Sequence, residues 1–145
     1  LYLSLKKLNL KSSNINEYYN FSHSIGIPQI DTENFQNKVF GVECNFEELN
    51  GIDFKKGCYV GQENTARIKH KDKLNKRIFP LTVLEGSLDT EIISIENKEI
   101  GKVLIKNNNS FALIKFKEKE FDFNKKLDCG DAKILIKKPD WLNIT

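Results

Sequence analysis

From Lys76 onward the sequence breaks into short apolar or alternating runs: Arg77–Leu84, Glu91–Ile95, Gly101–Ile105, Ser110–Phe116 and Ala132–Ile136. Turn-forming residues separate them, most plainly Asn107-Asn108-Asn109. Runs of this length and composition are strands, and a series of them predicts an antiparallel barrel or sandwich. Pro80 has no N–H to give to a ladder, which places it at an edge or a bulge. Cys129, beside Gly130 and Asp131, is expected in a loop before the last strand, with a structural role. Trp141 is expected to pack across this β unit or onto the preceding half, anchoring the tail.

The first half has a different character. Leu1-Tyr2-Leu3-Ser4-Leu5 alternates like the end of a strand. After the polar break Lys11-Ser12-Ser13-Asn14, the spacing of Asn14 and Glu17 is that of a capping box, predicting a helix to about Ile25 that Gly26 and Pro28 stop. Ile15, Tyr18, Tyr19, Ser22 and Ile25 share one face of it, read as core packing. Residues 29 to 42 read as loop with a short turn around Asn34 to Lys38. Asn45 and Glu48 repeat the capping spacing ahead of a turn from Phe46 to Leu49.

The stretch with most chemistry is Lys55-Lys56-Gly57-Cys58-Tyr59-Val60-Gly61-Gln62-Glu63. Gly57 and Gly61 allow a tight bend and close approach of another group. Val60 to His70 has no proline and only Gly61 as glycine, so a helix is expected to start here, with Cys58 at or just before its N-terminus. Backbone N–H groups, the helix dipole and the cations of Lys55 and Lys56 would together hold the thiol below its usual pKa of about 8.5. The plain alternative is a small buried hydrophobe, the commonest fate of a free cysteine. Glu63 and Arg67, four apart, read either as an intrahelical ion pair or as groups that orient the loop or a partner's surface. His70, in a lysine-rich connector, reads as solvated.

Composition bounds the rest. Across 145 residues, 23 basic and 20 acidic side chains leave a formal charge of +3, too small to argue for nucleic acid. Arg67 and Arg77 are the arginines, so forked recognition of phosphate or guanine is nearly absent. No apolar stretch is long enough for a bilayer-spanning helix. Cys44, Cys58 and Cys129 are odd in number and lack CxxC spacing, which favours a reducing compartment and supplies no local metal cage. A cytoplasmic protein is the expectation. No GxGxxG, P-loop, HExxH or GxSxG set is present.

Lys56-Gly57-Cys58-Tyr59-Val60-Gly61-Gln62-Glu63 resembles the signature of the YgfZ family, folate-binding proteins related to the aminomethyltransferase (T-protein) of the glycine cleavage system. The likeness continues through Glu43-Cys44-Asn45-Phe46, Leu49 to Phe54, Thr65-Ala66-Arg67, His70, Lys76 to Pro80 and Lys138 to Leu142, closest to the alphaproteobacterial and mitochondrial branch. It implies an α+β chain: residues 1–75 as the C-terminal part of a folate-binding, aminomethyltransferase-like domain, and residues 76–145 as a small antiparallel C-terminal β-barrel. Family members are about twice this long, so a C-terminal fragment is expected. Two departures stand out: Ser22 occupies the place of a usual arginine, and Gly41 that of a usual proline.

What the resemblance implies for function is a folate-dependent factor that assembles or repairs four-iron clusters on client enzymes, an accessory factor more than an enzyme. Cys58 would be its working thiol, a transient ligand to iron or sulfide, or a redox-active group. Lys56 would stabilise the thiolate, Gly57 and Gly61 would shape the loop, and Tyr59, Gln62 and Glu63 would form its wall. Glu43 would face the aminopyrimidine edge of tetrahydrofolate; a surface acid is the plain alternative. Because one thiolate cannot hold a cluster, iron would be shared with a carrier or client protein. The alternatives are a tetrahydrofolate-dependent one-carbon transferase and a protein associated with tRNA modification. The transferases carry Asp-Phe where Cys58-Tyr59 stands, and the scarcity of arginine counts against RNA.

Overall fold

The computed structural model describes residues 11–57, 63, 65–66, 75–115 and 121–143. Six strands, β1 (Lys76–Glu85), β2 (Ile92–Ile95), β3 (Lys98–Ile105), β4 (Phe111–Lys115), β5 (Leu127–Cys129) and β6 (Ala132–Ile136), close into an antiparallel barrel. The strand order around it is β1-β4-β3-β2-β5-β6. Period-two alternation explains the closure: Phe79, Leu81, Val103, Ala112, Ile114, Ile134 and Ile136 point inward and form one buried cluster. Each large apolar side chain buried there contributes about 1.5–3 kcal/mol. Leu142 of the tail joins the same cluster, with Trp141 packed against it.

β1 is buried on both faces from Arg77 to Leu81. Its first half pairs with β4, as in Phe79 opposite Ala112, and its second half with β6, as in Leu81 opposite Ile136. Pro80 is at the changeover. A closed barrel has no edge, so the expectation of an edge position does not hold; the ring's missing N–H is tolerated where the strand exchanges neighbours. Around it Leu81 N donates to Ser110 O at 3.0 Å and Lys137 N to Pro80 O at 2.9 Å. β5, with Cys129 fully buried at its end, was expected as loop; Cys129 pairs with Ala132 across the Gly130-Asp131 turn. The structural role expected of Cys129 stands, its Sγ lying 3.5 Å from Thr90 O.

The N-terminal part lies against the barrel's outer face. Helix α1 (Ile15–Ser24) begins at Asn14, whose side chain accepts from Asn16 N. Only half of the predicted capping box forms, because the Glu17 carboxylate takes its hydrogen bond from the Ser13 hydroxyl. The helix ends in a Schellman motif, with Gly26 N donating to His23 O at 2.9 Å and Ile27 N to Ser22 O at 2.8 Å. Gly26 has φ 76, and a side chain there would meet the Pro139 ring at 2.4 Å, so this turn fits directly onto the tail. The predicted core face is corrected: Ser22 is buried, but Ile15 is 59% exposed. The helix reaches the barrel from its C-terminal half, through Asn20 and His23. Trp141 Nε1 donates to Ile25 O at 2.7 Å, tying the tail to the helix end. No helix among the described residues is long and apolar enough to cross a membrane. The strand expected at Leu1–Leu5 lies outside the described residues.

Candidate functional site

Residues 41–50 run as consecutive turns against the outside of β1. Phe46 N donates to Gly41 O at 3.1 Å and Gly51 N to Phe46 O at 2.6 Å, closing the turns on themselves. Asn45 takes φ 60, a left-handed conformation that asparagine adopts more readily than other side chains. The expected cap at Asn45 is therefore not what forms. Its side chain is buried and spans to the barrel, Nδ2 donating to Ile78 O at 3.1 Å and Oδ1 accepting from an Arg77 guanidinium nitrogen at 2.8 Å. The same guanidinium reaches Glu48 Oε1 at 2.6 Å. Ile78 N donates to Glu43 O at 2.9 Å, so main chain and side chains together fasten this loop to β1.

The Asn45–Arg77–Glu48 cluster is absent from the sequence reading. The signal for it was present: an arginine in a chain with two, inside an apolar run and on the same strand parity as Phe79 and Leu81, and an asparagine three residues before an acid. Arg77 Nε and Glu48 Oε2 are buried without a protein partner among the described residues. Ordered water is the usual companion of such a donor and acceptor.

Glu43 is half-buried, and its Oε2 accepts from Phe40 N at 2.9 Å. One main-chain bond orients the carboxylate and leaves acceptor capacity free, since an ionised carboxylate can take about four hydrogen bonds. Beside it Cys44 is buried. Burial first, and the Glu43 charge second, push its thiol up to about 11. Cys44 lines a hollow of about 520 Å³ with Pro28, Phe35, Val39, Phe46 and Leu49, an apolar setting in which a thiolate is disfavoured. Cys129 is likewise held above its ordinary value, by burial. Neither has the environment of a nucleophile or a metal ligand.

The approach to the predicted loop is open. Lys55 N donates to Asp53 Oδ1 at 2.8 Å in a turn, and Lys55, Lys56 and Gly57 are exposed. A side chain built on Gly57 would meet nothing within 4 Å. Cys58, Tyr59, Gly61, Gln62 and Arg67, with Val60 and His70, lie outside the described residues. Glu63, Thr65 and Ala66 are helical, and Glu63 is exposed. Among the described residues no group of three or more His, Cys, Asp or Glu side chains could hold a metal ion.

Residues 75–144 match the family described as CAF17, C-terminal beta-barrel domain. A Neurospora crassa protein named iron-sulfur cluster assembly factor IBA57 homolog, mitochondrial, is 48% identical over 56 residues, 39% of this chain and 13% of that protein. A Dictyostelium discoideum protein of the same name is 42% identical over 83 residues, 57% of this chain and 20% of the relative. The mouse iron-sulfur cluster assembly factor IBA57, mitochondrial, is 36% identical over 80 residues, 55% of this chain and 22% of its own length. The match thus spans under a quarter of each of these relatives. Their names overturn the cytoplasmic expectation: each of these relatives is named mitochondrial. The cysteine inventory separated reducing from oxidising surroundings and had no power to tell one reducing compartment from another.

Proposed function

With residues 75–144 belonging to the CAF17 C-terminal beta-barrel family, we propose that this chain is part of an iron–sulfur protein maturation factor serving four-iron client enzymes. The observation that carries this reading is the shared name of relatives from a fungus, an amoeba and a mammal, all iron–sulfur cluster assembly factors. Local chemistry supports Cys58 as the working thiol. Of the three cysteines, Cys44 and Cys129 are buried with raised pKa values, and Cys58 follows two exposed lysines and an open glycine. A thiolate at Cys58 donates one electron pair to iron, and the remaining ligands come from a carrier or client protein. In this reading Lys56 lowers the cost of the thiolate, Tyr59, Gln62 and Glu63 would form the wall of its loop, and Arg67 would orient the loop or a partner's surface.

Tetrahydrofolate is proposed as the cofactor, and Glu43 fits it. Its carboxylate is held by the Phe40 N–H, is half-buried, and keeps acceptor capacity for an aminopyrimidine N–H edge. Bound folate would supply one-carbon chemistry; Glu43 itself orients the ring. Of the rival readings, an RNA-binding role in tRNA modification loses one of its two arginines, because Arg77 is engaged by Asn45 and Glu48. Replacing Cys58 by alanine in the full-length protein, in cells depleted of their own copy, tests the proposal. Loss of four-iron enzyme activity with folate affinity retained is expected; undiminished four-iron activity would remove the thiol from the mechanism. Glu43→Gln is expected to weaken folate binding about tenfold, the loss of one charge-assisted contact.

A further inference from the structure

A second opening lies where the last turn of α1 meets the barrel. A cleft of about 640 Å³ runs between that turn, the second half of β1, the β3–β4 turn and Lys137. Its walls are fixed to each other. Asn109 Nδ2 donates to Asn20 Oδ1 at 3.1 Å, and His23 Nε2 lies 3.0 Å from Ser110 O. The His23 ring stands edge-on to Phe111, with centroids 5.2 Å apart. Within the turn Asn107 Oδ1 accepts from Asn109 N at 2.7 Å, and Asn107 Nδ2 donates to Asp31 Oδ2 at 2.8 Å. The cleft is therefore preformed, which spares a ligand the cost of ordering it.

Its charge is one-sided. Lys106 and Lys137 line it, and among the described residues no aspartate or glutamate does. Neither lysine has an ion-pair partner among the described residues. The C-terminus of α1 brings about half an elementary negative charge to the same place, which two full cations outweigh. Leu81, Val83 and Leu88 supply apolar wall between the polar groups. We infer that this cleft binds a small organic anion, a molecule with an apolar body and a carboxylate or phosphate group. Lys106 and Lys137 take the charge as point cations, the asparagine and serine side chains at the rim supply donors, and the apolar wall takes the body. The inference stands apart from the cysteine loop and does not depend on the iron–sulfur reading.

Phenyl phosphate and benzoate, titrated into the isotopically labelled chain at constant ionic strength, distinguish the two headgroups. The expected result is saturable movement of the amide signals of His23, Asn109 and Val83 with one or both probes. Losing each lysine is expected to weaken binding about threefold to fivefold, the range for an exposed charge contact, and Lys106→Ala with Lys137→Ala about tenfold. An unmoved Arg77 side-chain signal certifies that the double variant is folded. Saturation by phenyl phosphate alone assigns a phosphate ligand, and by benzoate alone a carboxylate. Shifts that never saturate, or equal affinity in the folded double variant, would overturn the inference.

Discussion

Arg77 decides how the loop bearing Glu43 is seated. It is 8% exposed, bonded to Asn45 and Glu48, and next in sequence to Ile78, whose N–H holds the Glu43 carbonyl. Removing it leaves Asn45 and Glu48 partly buried without their cation, so Arg77→Ala is expected to destabilise the fold by about 2–4 kcal/mol in urea unfolding. Glu48→Gln in the same background should cost less than it does alone, because the charge it removes has already lost its partner. Cys44 gives a pH signature. Its thiol is raised from 9.0 to about 11 in the folded chain, so between these values the unfolded state has lost a proton that the folded state keeps. Stability from this group is complete below pH 9 and is lost as pH rises toward 11. The urea midpoint is expected to fall more steeply over that window in the parent chain than in Cys44→Ala.

Among the elements, β3 and β4 leave no room for a side chain at Gly101. A side chain there would meet Leu113 O at 2.6 Å and Ile114 Cδ1 at 2.7 Å. Gly101→Ala is expected to cost about 1–3 kcal/mol through overpacking, read as a lowered thermal midpoint with unchanged strand content by circular dichroism. The strands themselves were largely legible, since alternation survives wherever one face is buried: Ala132–Ile136 coincides with its prediction, and β1 and β4 agree with theirs within two residues. Two features escaped. β3 starts three residues before its predicted Gly101, because the β2–β3 hairpin turns on Glu96 and Asn97, both at positive φ. Glutamate is no turn signal there, and its charge hid the hairpin. β5 is three residues long, too short for any period, and exists because β2 and β6 both pair with it. In α1 the stop was readable from Gly26 and Pro28, but the buried face was not: which turn of an amphipathic helix meets the barrel is set by the tertiary contact at His23 and Trp141.

At the scale of the whole molecule, a barrel fills its interior with its own side chains and offers its outer face to the preceding segment. Among the described residues that segment is fastened through Glu43 to Glu48 on β1, through Asn20, His23 and Asp31 on the β3–β4 turn, and through Ile25 on Trp141. Burial patterning announced the barrel because it is repeated along five strands. The fastening depends on single long-range pairs, from Glu48–Arg77, 29 residues apart in sequence (77 − 48), to Ile25–Trp141, 116 apart, which leave no periodic trace. The composition of the cysteine loop pointed to chemistry, and the structure narrows the choice by withdrawing the other two thiols from solvent. Mass-mapped alkylation of the folded chain, followed from pH 5 to 9, puts that choice to the test directly. The account predicts that Cys58 reacts first, with an apparent pKa below about 8.5, and that Cys44 and Cys129 react only after unfolding. A Cys58 as slow as Cys44 across that range would contradict it.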